Sequence, residues 1–160
     1  MIKELEAIVS KLKEERAMLN RAMDQLSDEQ TENIIITDQW SVKDVIAHLA
    51  GAERGMTRMA QLIAKGEDPQ LPEGYNNDEY NARQVAKRKA QSLADIRAEL
   101  DSTRAECYAL LESVTAEQLV LMGEHPLAGE IALKDLLVVI YNHEIQHCNE
   151  ISNKVGAAKK

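Results

Sequence analysis

His143, Glu144, Ile145, Gln146 and His147 spell His-Glu-x-x-His near the end of the chain. On a helix, residues four apart are offset by about 40°, so both imidazoles can ligate one divalent ion while the glutamate moves a proton. A hydrolytic zinc centre takes three protein ligands and keeps one position open. In zinc proteases with this string the third ligand lies downstream, yet only 13 residues follow His147. The longer pattern HExxHxxGxxH fails as well, with Glu150 at its glycine and Asn153 at its third histidine. No strand is at hand to align a peptide beside the site. The chain does not read as a protease.

A third ligand has to come from upstream, where the remaining histidines are His48 and His125. His125 precedes Pro126 in a glycine-flanked stretch and reads as an exposed loop residue. His48 lies mid-helix in WSVKDVIAHLAGAERGM, among Ala47, Gly51, Ala52 and Gly55. A mid-helix glycine costs about 1 kcal/mol relative to alanine. Two so close together point to a close helix approach or a cavity beside His48. Taken alone, a histidine on an apolar helix face is more often a packed residue than a ligand. The His143/His147 pair carries more weight, because two neutral imidazoles continuing the Leu136, Ile140 stripe are costly to bury unpartnered. Asp44 shares a face with His48 and reads as a helix cap. Cys148 sits about 100° around from His147 and reads as a small packing thiol.

These side chains need helices to hold them, and apolar spacing supplies four. The first carries Ile2, Leu5, Ile8, Val9, Leu12, Leu19 and Met23 on one stripe. The second starts near Ser41, where Ser41 and Asp44 form a capping-box pattern, and runs to about Ala64. The third is capped at Ser92 and Asp95 and buries Leu93, Ile96, Leu100, Cys107 and Leu110. The last runs from about Ile131 to Lys154. Thr115 begins a short extra turn, GEHPLAGE reads as a loop, and no strand is expected. The 160 residues contain no Phe, three Pro and seven Gly, which suits an all-α single domain over 1–160, a four-helix bundle. Between helices 2 and 3, the 11 residues from Gly66 to Asn76 reach about 37 Å extended. A helix of the second one's length spans about 35 Å. A long crossover between them is feasible, and a long hairpin loop satisfies the same length.

Composition narrows the function. The formal charge of −8, with acids and bases intermixed, repels phosphate backbones, so no nucleic-acid partner is expected. No apolar run reaches membrane-spanning length, and the N-terminus has no secretory core, so the expected location is cytoplasmic. Cys107 and Cys148 make no CxxC spacing and read as reduced thiols.

Three stretches together resemble the DinB-like superfamily: WSVKDVIAHL, the central YNARQVAKRKAQSLADIRAELDSTRAECYALL, and HPLAGEIALKDLL leading into YNHEIQH. The likeness covers nearly the whole chain and is strongest at Trp-Ser-x-Lys-Asp…His and the final His-x-x-x-His. The resemblance implies a bundle in up-down-down-up order. It also implies a divalent metal, zinc first and nickel second, on histidines matching His48, His143 and His147. It further implies homodimers and small-molecule substrates, with chemistry ranging from mycothiol- or bacillithiol-dependent transfer and isomerisation to hydrolysis. Three neutral imidazoles leave the ion its full charge, enough to bring a bound water's pKa from about 15.7 to about 7 or to ionise an incoming thiol. Glu144 then has two readings, a catalytic proton acceptor at the open position or an inter-helix ion pair. Tyr141, Asn142, Glu53 and Arg54 are further pocket candidates that the sequence does not separate. The expectation is a metal-dependent thiol S-transferase or hydrolase with a low-molecular-weight thiol as cosubstrate. Two alternatives stand beside it: a non-catalytic metal-binding stress-response bundle, and a metal-free self-resistance bundle using its histidines for acid–base chemistry.

Overall fold

The computed structural model describes residues 2–37 and 39–158. Four long helices form the bundle: α1 (Lys3–Met23), α3 (Val42–Ala64), α5 (Leu93–Ser113) and α6 (Leu133–Ala158). The caps fall where expected. Ser41 Oγ accepts from the Asp44 N–H at 3.2 Å, and the Asp44 carboxylate accepts from the Ser41 N–H at 3.1 Å. Ser92 Oγ accepts from the Asp95 N–H at 3.1 Å and starts α5 in the same way. Two short polar helices were not anticipated. α2 (Asp28–Asn33) lies inside the first link, and α4 (Asn77–Arg88) occupies the polar stretch before α5.

Side-chain register fixes the directions. Arg16 meets Glu144, Cys148 meets the Glu15 carbonyl, and Ala22 shares a surface groove with Val155, so α1 and α6 run parallel. Arg54 pairs with Glu99, Glu53 with Arg104, and Ala64 shares a groove with Leu110, so α3 and α5 are parallel too. Arg97 reaches Asn20, while Arg104 reaches the Leu12 carbonyl, which makes α1 and α5 antiparallel. The order is up-down-down-up. Returning α5 beside α3 needs the long crossover, here residues 65–76 together with α4. Gly51 lets α4 lie close against α3. A Cβ at that position would stand 2.8 Å from Gln84 Cβ.

The core is split. One cluster gathers Leu19, Ile46, Leu49, Ile96, Leu100 and Ile151; the other gathers Leu5, Leu12, Ile63, Leu111, Leu133 and Leu136. Each long helix contributes one residue to a buried ion-pair cluster, Arg16, Glu53, Arg104 and Glu144, and Glu15 of α1 is buried as well.

The stretch read as a plain loop before the last helix is a β-hairpin. β1 (Met122–His125) pairs antiparallel with β2 (Gly129–Ala132), with Gly123 opposite Ile131. Pro126, Leu127 and Ala128 make the turn, and Gly129 closes it at φ +69°. Proline pre-sets the turn's backbone, and glycine takes the left-handed position that closes such three-residue loops. Gly123 lets the hairpin lie against the end of α3, since a Cβ there would stand 2.5 Å from Ile63 Cγ1.

Candidate metal centre

His48 on α3 and His143 and His147 on α6 converge, with one ligand nitrogen from each within 4.8 Å of the others. His48 Nε2 and His143 Nε2 are 3.0 Å apart. The three rings meet edge-on at centroid distances from 4.8 to 5.1 Å, and Trp40 lies 5.0 Å from the His48 ring. His147 Nδ1 is 2.7 Å from the Glu150 carboxylate. A carboxylate accepts, so Nδ1 carries the hydrogen and the Nε2 lone pair is left free. Metal-binding histidines are commonly oriented in this way.

Electrostatics keep His48 and His143 neutral. Burial, with the nearby His143 and His147 rings, holds His48 down at about 3. Burial and His147 hold His143 at about 4. The donor set fits a divalent cation. Two nitrogens about 2.05 Å from a tetrahedral ion lie about 3.3 Å apart, close to the separation between His48 and His143. Without an ion, two neutral rings facing nitrogen to nitrogen share one proton at most, and His48 Nδ1 is buried with no partner.

The histidines open onto a cavity of about 250 Å³. His48 and His143 form one wall. Ala52, Gly55, Met56, Met59 and Val139 continue it as hydrocarbon, while Tyr75, Tyr80, Asn77 and Asn81 supply polar groups from the crossover and α4. No Lys, Arg, Asp or Glu lines it among the described residues. Burial raises the Tyr75 phenol, which stays protonated. Gly55 and Ala52 thus provide the room expected beside His48, whereas Gly51 is used for helix approach.

One expected placement changes, and one open choice takes the second of its two readings. His125 is not an exposed loop residue. It ends β1, is 9% exposed and lines the same cavity. The turn folds back over it, as the Leu127 and Ala128 N–H groups donate to its Nδ1 at 3.2 and 3.1 Å.

Glu144 has the geometry of the inter-helix ion pair. It is 2% exposed, accepts from Arg16 Nε at 2.9 Å and from Arg104, and does not line the cavity. Arg16 also binds Glu53 at 2.8 Å and Asp101 at 3.0 Å. Burial works against the Arg104 charge, but Glu53 and Glu144 outweigh it and hold the guanidinium above its ordinary range. Of the other candidates, Glu53 belongs to this cluster and Arg54 pairs with Glu99 at 3.0 Å. Tyr141 packs on the second core cluster, and Asn142 is exposed.

Both cysteines are buried free thiols, pushed up by that burial to about 11 for Cys107 and about 12 for Cys148. Neither is an available thiolate. Sequence reasoning missed Glu150, Tyr75 and Tyr80 as parts of the site. Glu150 left a signal, because three residues after His147 it falls on the same helix face.

Comparison with known proteins agrees with this arrangement. A family model for the DinB superfamily matches residues 11–151, and the chain belongs to that superfamily. No curated protein sequence matches it. Among solved structures it is similar to YfiT from Bacillus subtilis, described as a probable metal-dependent hydrolase with an unusual four-helix bundle topology. Identity is 25% and the TM-score 0.76, covering 98% of this chain and 90% of that one. It is also similar to the mycothiol-dependent maleylpyruvate isomerase, at 12% identity and TM-score 0.80 over 92% of this chain. The chain spans only 60% of the isomerase's length. A third similar structure is the colibactin self-resistance protein ClbS in complex with a double-stranded DNA, at 13% identity and TM-score 0.73, covering 91% and 92% of the two chains. The likeness to the isomerase and to ClbS is one of fold.

Proposed function

We propose that this DinB-superfamily chain is a divalent-metal-dependent enzyme acting on small molecules, by thiol S-transfer or hydrolysis, with His48, His143 and His147 as the ligands. One observation carries the reading: three imidazoles from two helices converge, two of them in the wall of a mostly apolar cavity. A cation held there supplies Lewis acidity to a water or thiol entering from the cavity. Zinc is the first ion to test and nickel the second, since imidazole suits both.

The chain's own residues supply orientation and exclusion. Glu150 fixes the His147 tautomer, and Trp40 packs against the His48 ring. The hydrocarbon wall keeps bulk water from the imidazoles. A wall without formal charges selects the neutral part of a substrate, and the ionised groups of a thiol such as bacillithiol or mycothiol would stay at the mouth. The names of two similar structures support these reaction classes, a probable metal-dependent hydrolase and a thiol-dependent isomerase.

The test is to incubate metal-loaded protein with bacillithiol, mycothiol or glutathione and a panel of electrophiles and esters. Metal-dependent turnover that is lost in His143→Ala is expected. No metal-dependent turnover across the panel would leave a binding module in place of an enzyme.

A further inference from the structure

His125 is the histidine that the three-ligand reading leaves unused. It comes from the hairpin, not from a bundle helix, yet it shares the cavity with His48 and His143. Its Nδ1 accepts two backbone N–H bonds, from Leu127 and Ala128. An imidazole nitrogen can accept only through its lone pair, so the hydrogen of the neutral ring sits on Nε2. Nε2 has no partner among the described residues, and His125, 9% exposed, is one of the residues that line the cavity.

We infer that His125 is a fixed hydrogen-bond donor to substrate, its Nε2–H binding the oxygen of a small, uncharged, mainly apolar molecule that carries a carbonyl or similar acceptor. The donor is held in advance. The turn N–H groups fix the ring, Gly129 closes the turn, and Gly123 seats the hairpin against Ile63. Among the described residues no carboxylate holds a proton on the ring, and burial pulls it below its ordinary range, so it stays neutral. A neutral N–H set in a hydrocarbon wall is suited to stabilising charge that builds on an oxygen during reaction. Because His125 shares the cavity with His48 and His143, that oxygen would lie in the same cavity as the histidine wall. The inference rests on reading the cavity as the substrate site, and it does not need the metal.

Two measurements on the full-length, metal-free chain test it. Long-range 15N–1H correlation spectra should show His125 as the Nε2–H tautomer at pH 7. Cavity resonances titrated with cyclohexanone and with methylcyclohexane give the ratio of ketone to hydrocarbon affinity, in which the different costs of leaving water are the same for wild type and variant. That ratio should fall roughly three- to tenfold in His125→Phe, which keeps the bulk and removes the donor, the range expected of one neutral hydrogen bond. An Nδ1–H tautomer, a charged ring at pH 7, or an unchanged ratio in His125→Phe would each overturn the inference. Failure here leaves the metal reading intact. A chain that binds no metal yet passes both tests loses only the metal reading.

Discussion

Replacing Glu144 by alanine separates the two roles that His-Glu-x-x-His allows its glutamate. The carboxylate is gripped by Arg16 and Arg104, and all three side chains are at most 8% exposed. Removing it leaves two buried guanidiniums with Glu53 as their shared buried counter-charge, since the other acid on Arg16, Asp101, is 64% exposed. Breaking a buried ion pair from one side costs about 3–5 kcal/mol, because an uncompensated charge stays in the interior. A chain of this length moves by about 2–4 °C per kcal/mol, so the melting temperature should fall by about 6–20 °C. Circular dichroism at 222 nm, with metal content measured well below the transition, provides the assay. Metal stoichiometry should stay that of the wild type, since Glu144 does not reach the cavity. The double variant Arg104→Met/Glu144→Met removes one charge of each sign and should recover much of the loss. A Glu144→Ala protein that melts within 2 °C of wild type yet loses metal-dependent turnover would refute this reasoning and restore the catalytic glutamate.

Three further outcomes follow from the geometry. His48 and His143 sit at about 3 and about 4 when folded, below the roughly 6.5 of an unfolded histidine. The unfolded chain therefore binds more protons in that window, and metal-free stability falls as pH drops. Each of the two contributes a loss of about 2 kcal/mol from pH 7 to pH 5, about 4 kcal/mol together. It is read as a lower urea midpoint, and a flat midpoint over that range would contradict the neutral pair. Glu150→Gln should weaken metal binding by about 10- to 100-fold while leaving the melting temperature of the metal-free protein within a few degrees; unchanged affinity would remove Glu150 from the site. Gly123→Ala must displace Ile63, a fully buried branched side chain, and should cost about 1–3 kcal/mol in thermal melts. A neutral result there would show that the hairpin can lift away from α3.

What could be read without coordinates followed local rules. The apolar stripes gave the four long helices, and the Ser41/Asp44 and Ser92/Asp95 pairs marked two helix starts because a cap needs only residues three apart. α4 escaped because it buries only Val85 and Arg88 and so carries no apolar stripe. The hairpin escaped because its strands are four residues long and the buried positions of β1 are Gly123 and His125, so its alternating burial leaves no apolar–polar alternation in the residues. That omission is also why His125 read as exposed. The pairing of α1 with α6 and of α3 with α5 depends on which distant faces meet, which periodicity does not encode.

The buried charges did leave a trace. Arg16 stands between Leu12 and Leu19, Arg104 between Leu100 and Cys107, Glu53 after Leu49, and Glu144 after Ile140, each at core spacing on its own helix. Two positive and two negative charges on inward stripes must find one another. Glu144 therefore belongs to that layer, whereas His143 lines the cavity and His147 meets His48 and His143 from a neighbouring face of the same helix.

The central claim is that His48, almost a hundred residues before the pair on α6, completes one metal site. The direct measurement is divalent metal per chain, by elemental analysis of zinc-loaded, exhaustively dialysed wild type and of His48→Ala. One ion per chain is expected in the wild type and a loss to background in the variant, with the fold retained by circular dichroism. One ion per chain retained in His48→Ala would contradict it.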